Sequence, residues 1–121
     1  MDVSLFDVCK TGNSKKVKSL IDNGVDVNEK NDKGETPLHY ACSNGYVKIV
    51  KLLIGKNADV NLNNKYNQTP LHISCIHGRV NIVKLLIKNN ADLNLKTGRG
   101  NTPLHLSFIF GHFDIVKLLI K

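Results

Sequence analysis

The tetrapeptide Thr-Pro-Leu-His occurs three times, as Thr36–His39, Thr69–His72 and Thr102–His105, and each copy begins 33 residues after the last. A fixed period of this length marks a chain built from stacked copies of one supersecondary unit, none of which can bury its apolar face alone. The register persists downstream: Ile49–Ile54, Ile82–Ile87 and Ile115–Ile120 share the pattern Ile-Val-Lys-Leu-Leu-Ile, and Asp26–Asn28, Asp59–Asn61 and Asp92–Asn94 share Asp-(Val/Leu)-Asn. Projected backwards, the period places Leu5-Phe6 on the Leu-His positions, Gly12 on Gly45, Gly78 and Gly111, and Val17–Ile21 on the second apolar run. The chain therefore divides into four units, at approximately residues 1–30, 31–63, 64–96 and 97–121, within a single domain over 1–121.

Each unit reads as two short helices and a loop. Thr36, Thr69 and Thr102 carry an N-capping oxygen, and the proline that follows loses nothing at a position whose N–H has no helical partner. Gly45, Gly78 and Gly111 stand where a left-handed residue ends a helix, and the run after each has apolar residues at the spacing of one helix face. The stretches 57–68 and 90–101 are rich in Asn, Asp and Gly without an apolar stripe, which predicts an extended or turn-forming finger.

The period and the Thr-Pro-Leu-His motif together resemble the ankyrin-repeat family. The resemblance covers essentially the whole chain and implies an all-α solenoid of four stacked helix-turn-helix units with β-turn fingers. It further implies a non-enzymatic scaffold that binds a protein partner through a concave surface of fingers and first helices, with the second helices forming the convex back.

Composition limits the alternatives. At 121 residues and 41% hydrophobic content, a core large enough to fold needs neither disulfides nor a metal. Apolar runs such as Leu52–Ile54 fall far short of the ~20 residues that cross a bilayer, and the N-terminus lacks the pattern of a secretory signal. Cys9, Cys42 and Cys75 lie 33 apart on one repeat position. Stacking separates equivalent Cα atoms beyond the ~7 Å limit for a disulfide, so the thiols are expected to be free and buried, in a reducing, intracellular compartment. Phe108 holds this position in the last unit.

The repeated histidines His39, His72 and His105 do not make a metal site, because helices stacked ~10 Å apart cannot bring three nitrogens within ~2 Å of one ion. By resemblance they are structural, each tying a threonine to a neighbouring loop; His77 and His112 read as helix-corner residues. Asn28, Asn61 and Asn94 match a loop asparagine that animal ankyrin proteins can carry hydroxylated, and a structural role explains them. No Ser or Cys has a plausible base and no glycine-rich phosphate loop opens a helix, so neither catalytic residues nor cofactors are expected.

Lys18, Lys51, Lys84 and Lys117 share one position on the second helices, with Lys15, Lys48, Lys88 and Lys121 nearby, and carry much of the formal +7 charge. This stripe suggests an alternative role as a basic convex-face adaptor for an acidic protein, nucleic acid or a membrane surface. Nucleic acid is disfavoured, because aromatic residues are not interleaved and only Arg79 and Arg99 supply guanidinium groups.

The family's variable contact positions transfer by register to Asp32, Lys33, Glu35, Ser43 and Asn44 in the second unit, and to Lys65, Tyr66, Gln68, Ile76 and His77 in the third. In the fourth they are Gly98, Arg99, Asn101, Ile109 and Phe110; the first unit offers only Lys10 and Thr11. Tyr66 at a finger tip, with Ile76, Ile109 and Phe110 at positions expected to be polar, stands out as a set of anchor candidates, unless Ile76, Ile109 and Phe110 pack against one another across adjacent units. Asn67 replaces a finger glycine, and Gly98-Arg99-Gly100 predicts a looser last finger. Lys16 and Ser19, in place of Ile and Leu, give the first unit the polar outer face of a cap. The fourth unit keeps Ile115, Val116, Leu118, Leu119 and Ile120, so its far side is expected to be partly apolar. That points to a piece of a longer array or, for an otherwise monomeric chain, to end-to-end association.

Overall fold

A computed structural model describes residues 4–121, which form eight helices in chain order. These are α1 (Leu5–Thr11), α2 (Ser14–Asp22), α3 (Pro37–Asn44), α4 (Val47–Gly55), α5 (Pro70–His77), α6 (Val80–Lys88), α7 (Pro103–Ile109) and α8 (Phe113–Leu119). None exceeds nine residues, below the length at which an isolated helix holds in water, so their stability comes from packing. Helices α1, α3, α5 and α7 stack in one row and α2, α4, α6 and α8 in a second. The described residues include no strand, and no helix among them is long and apolar enough to cross a membrane.

The first helix of each repeat starts where its sequence places it. Thr36, Thr69 and Thr102 side chains accept a hydrogen bond from the backbone N–H of His39, His72 and His105, and each histidine ring Nδ1 in turn accepts one from the threonine backbone N–H, closing a capping box. Gly12, Gly45, Gly78 and Gly111 end or follow these helices with φ between 74° and 77° or at 70°, a backbone that a Cβ disfavours. Leu38, Ile49, Leu53, Leu71, Ile82, Leu86 and Ile115 are fully buried between the rows, with Cys9, Cys42 and Cys75 beside them. The three thiols are free, and burial pushes those of Cys9 and Cys42 up to about 12 and that of Cys75 to about 11. The first unit shows its expected outer face, with Lys16 and Ser19 exposed.

The fingers are built on Asn31 and Asn64. Asn31 Oδ1 accepts from the N–H of Lys33 and Glu35, each at 3.0 Å, and Asn64 Oδ1 from those of Tyr66 (2.9 Å) and Gln68 (3.0 Å). Thr97 replaces the asparagine in the last finger and accepts from Asn101 N–H at 3.2 Å. Gly34, Asn67 and Gly100 supply the left-handed residue of each turn, so Asn67 does serve as the glycine substitute. The last finger closes the same turn as the others, with Gly100 N–H donating to the Thr97 carbonyl at 2.9 Å. Adjacent fingers are joined by Lys65 N–H to the Lys33 carbonyl (3.0 Å) and Gly98 N–H to the Tyr66 carbonyl (2.9 Å).

Candidate functional site

The finger and first-helix residues meet in a groove of about 700 Å³ between the third and fourth repeats. One wall comes from the fingers: Lys65, Tyr66 and Gln68 on the third, and Thr97, Gly98, Arg99 and Asn101 on the fourth. The other comes from α5 and α7 and the end of α7: Ile76, Leu106, Ile109 and Phe110. Of the expected contact residues, Lys65, Tyr66, Gln68, Ile76, Gly98, Arg99, Asn101, Ile109 and Phe110 are thus brought together. Tyr66 is 55% exposed, Ile109 62% and Phe110 51%, whereas Ile76 is half-buried against the core. Packing against the core therefore half-covers Ile76, while Ile109 and Phe110 stay open to solvent.

The remaining expected residues line other surfaces. Asp32 and Lys33 are exposed at the second finger, as are Asn44 and His77 at their helix ends. Ser43 is half-buried, and its hydroxyl lies 3.4 Å from His77 Nε2. Burial and the nearby Arg79 and His112 charges lower the affinity of His77 for a proton. Glu35 is occupied within the chain, accepting from Asn31 Nδ2 (3.2 Å) and the Tyr40 hydroxyl (3.0 Å). Gln68 Oε1 similarly accepts from Asn64 Nδ2 at 3.0 Å. Of the first-unit candidates, Lys10 holds its ammonium 4.9 Å from the centre of the Tyr40 ring and Thr11 donates to the Val8 carbonyl at 3.2 Å.

The histidines of the motif face inward. Thr36 and Thr69 backbone N–H groups donate to Nδ1 of His39 (3.0 Å) and His72 (2.9 Å). Each neutral ring therefore keeps its proton on Nε2, which donates to the carbonyl of Gln68 or Leu95 at 2.8 Å. Burial pushes both toward the neutral form. His105 makes the same threonine contact at 3.0 Å but is exposed. Among the described residues, no three His, Cys, Asp or Glu side chains are grouped to hold a metal ion. Asn28 and Asn61 are likewise engaged, each accepting at Oδ1 from the N–H of the next unit's aspartate (Asp59, Asp92) at 2.8 Å.

A second set of inter-repeat ties runs through the residue after the helix-ending glycine. The Tyr46 hydroxyl donates to the Lys10 carbonyl (3.4 Å), Arg79 Nη2 to that of Ser43 (2.8 Å) and His112 Nε2 to that of Ile76 (3.0 Å). Each side chain lies over the preceding unit's glycine: a Cβ at Gly12, Gly45 or Gly78 would come within 2.8, 3.1 or 2.6 Å of the Tyr46, Arg79 or His112 side chain. These residues escape a motif search because their types differ. The recoverable signal is a long hydrogen-bonding side chain at one position of the 33-residue register, following a glycine.

On the opposite row, Lys51, Lys84 and Lys117 are exposed as expected, and Lys18 pairs with Asp22 at 2.8 Å. That contact holds the Asp22 carboxyl below its ordinary range. At the last repeat, Phe108 and Phe113 are exposed and meet edge to face at 5.8 Å; Leu104 and Ile120 are exposed with them.

A family profile described as ankyrin repeats (three copies) matches residues 5–97 and 57–121. The chain belongs to the ankyrin-repeat family. Ankyrin repeats are generally protein–protein interaction modules. Similarity extends to an ankyrin repeat protein of fowlpox virus (strain NVSL), 49% identical over 39 residues. The matched segment is 32% of this chain and 28% of that relative's length.

Proposed function

We propose that this ankyrin-repeat chain is a non-enzymatic, intracellular scaffold that binds a protein partner through its concave finger and first-helix surface, centred on the groove between the third and fourth repeats. The observation that carries the reading is the exposure of Ile109 and Phe110 beside Tyr66 on one groove. Large apolar side chains clustered in a concavity are the anchors around which interfaces concentrate their energy. A rigid stack also loses little entropy on binding.

The test is affinity capture from cell lysate with the wild-type chain and with Tyr66→Ala/Phe110→Asp, both verified as folded by circular dichroism. Proteins retained by the former and lost by the latter support the reading; an unchanged set moves the interface to the basic outer helices. A second reading, end-to-end self-association, is favoured by the exposed Phe108–Phe113 pair. It predicts a sedimentation coefficient that rises with concentration and stops rising in Phe108→Ser.

A further inference from the structure

The groove between the last two fingers carries charge of one sign. Lys65 and Arg99 stand on its finger wall, and no carboxylate is among the described residues that line it. The Lys65 ammonium lies 5.5 Å from the centre of the Tyr66 ring, at the edge of an apolar floor formed by Ile76, Leu106 and Ile109. The second finger differs: Asp32 and Glu35 flank Lys33, and Glu35 is already bonded within the chain. The groove between the third and fourth repeats therefore presents two cations beside exposed apolar surface.

Such a surface selects its occupant by two kinds of complementarity. Bulky aliphatic or aromatic groups gain from leaving water against the floor. Carboxylates beside them form charge-assisted hydrogen bonds with the ammonium and, in a fork, with the guanidinium. A basic segment meets like charge at both rim positions, which discriminates against it. The groove's size, about 700 Å³, lies within the ~300–1,000 Å³ of pockets that hold a drug-sized ligand, room for a few side chains.

We propose that the occupant is a short segment of a protein partner in which a bulky aliphatic or aromatic residue is flanked by Asp or Glu. This rests on the concave-surface reading, and the test separates the two. Three fluorescein-labelled peptide pools are used, each with two central positions drawn from Leu, Ile, Phe and Met. Each centre is flanked on both sides by paired Glu, paired Gln or paired Lys, and binding to the full chain is read by anisotropy.

The Glu-flanked pool should bind about ten-fold tighter than the Gln-flanked pool, the order expected of two partly exposed ion pairs. The Lys-flanked pool should be the weakest. The Glu preference should reverse in Lys65→Glu/Arg99→Glu and fade in about 0.5 M salt, yet survive in Lys51→Glu/Lys84→Glu, which changes the total charge equally on the outer helices. Ile109→Asp should weaken every pool.

Equal binding of the Glu and Gln pools, both lost in Ile109→Asp, overturns the charge requirement and leaves the concave surface standing. A Glu preference abolished by the outer-helix pair but not by Lys65→Glu/Arg99→Glu overturns both. Absence of binding by any pool up to about 1 mM overturns the short-segment inference, and lysate capture then judges the surface separately.

Discussion

Gly78→Ala tests the close packing of the fourth repeat onto the third. Gly78 has φ +70°, and a Cβ there would lie 2.6 Å from His112 Cε1 and 2.7 Å from Nδ1. The left-handed backbone alone costs a residue with a Cβ about 1–2 kcal/mol. Displacing the ring also removes the His112 Nε2 bond to the Ile76 carbonyl, worth about 1 kcal/mol. The expected loss is about 2–3 kcal/mol. Gly111→Ala is the matched control, with φ +74° and nothing within 4 Å of its Cβ; it should cost only the backbone term, about 1–2 kcal/mol. The assay is urea unfolding followed by far-ultraviolet circular dichroism, where a slope of about 2 kcal/mol/M turns the Gly78 loss into a midpoint shift of about 1–1.5 M. Combining Gly78→Ala with His112→Ala should show a coupling of about 1 kcal/mol, because the alanine methyl then has room. Equal costs at Gly78 and Gly111 with zero coupling would refute the packing argument and leave only backbone strain.

Stability should also fall with acid before ordinary carboxylates titrate. His39 and His72 have lowered proton affinity when folded, so between the unfolded value of about 6.5 and their folded values the unfolded chain binds more protons. Their contribution is complete above about pH 6.5 and is lost as pH falls through the folded values; a urea midpoint that stays constant from about pH 7.5 to 5 contradicts this. Leu71→Ala, at a fully buried side chain, should cost about 2–5 kcal/mol in the same assay. Phe110→Asp should cost under about 0.5 kcal/mol while reducing partner binding, and unfolding by this substitution would make Phe110 a core residue. Cys9, Cys42 and Cys75 are buried and held protonated, so a thiol reagent should label them in urea but not in buffer; rapid labelling of the folded chain would contradict their burial.

The helix starts were legible because a capping threonine, a first-turn proline and a histidine at N3 act through local geometry that recurs with the period. Burial of the cysteines followed from repetition too, since what stacks once stacks again. Asn31 and Asn64 were harder to read as finger-closing residues, because asparagine is common throughout the loops and Thr97 does the corresponding work in the last finger. The Tyr46, Arg79 and His112 ties were hidden for a different reason. Their acceptors are backbone carbonyls, which place no demand on residue type beyond a donor of sufficient reach. The groove was legible as a set of positions but not as a shape. Whether Ile109 and Phe110 are open while Ile76 is half-covered depends on how far each helix is overlaid by the next repeat. Exposure of Leu104 at a position where Leu38 and Leu71 are buried has the same origin.

Methyl-resolved NMR of the isoleucine-labelled chain, titrated with the captured partner, tests the concave binding surface most directly. Ile76 and Ile109 line the groove, whereas Ile54 and Ile87 lie on the second helices α4 and α6. Binding in the groove predicts that the methyl signals of Ile76 and Ile109 shift while those of Ile54 and Ile87 hold still; shifts at Ile54 and Ile87 with Ile76 and Ile109 unmoved would contradict it.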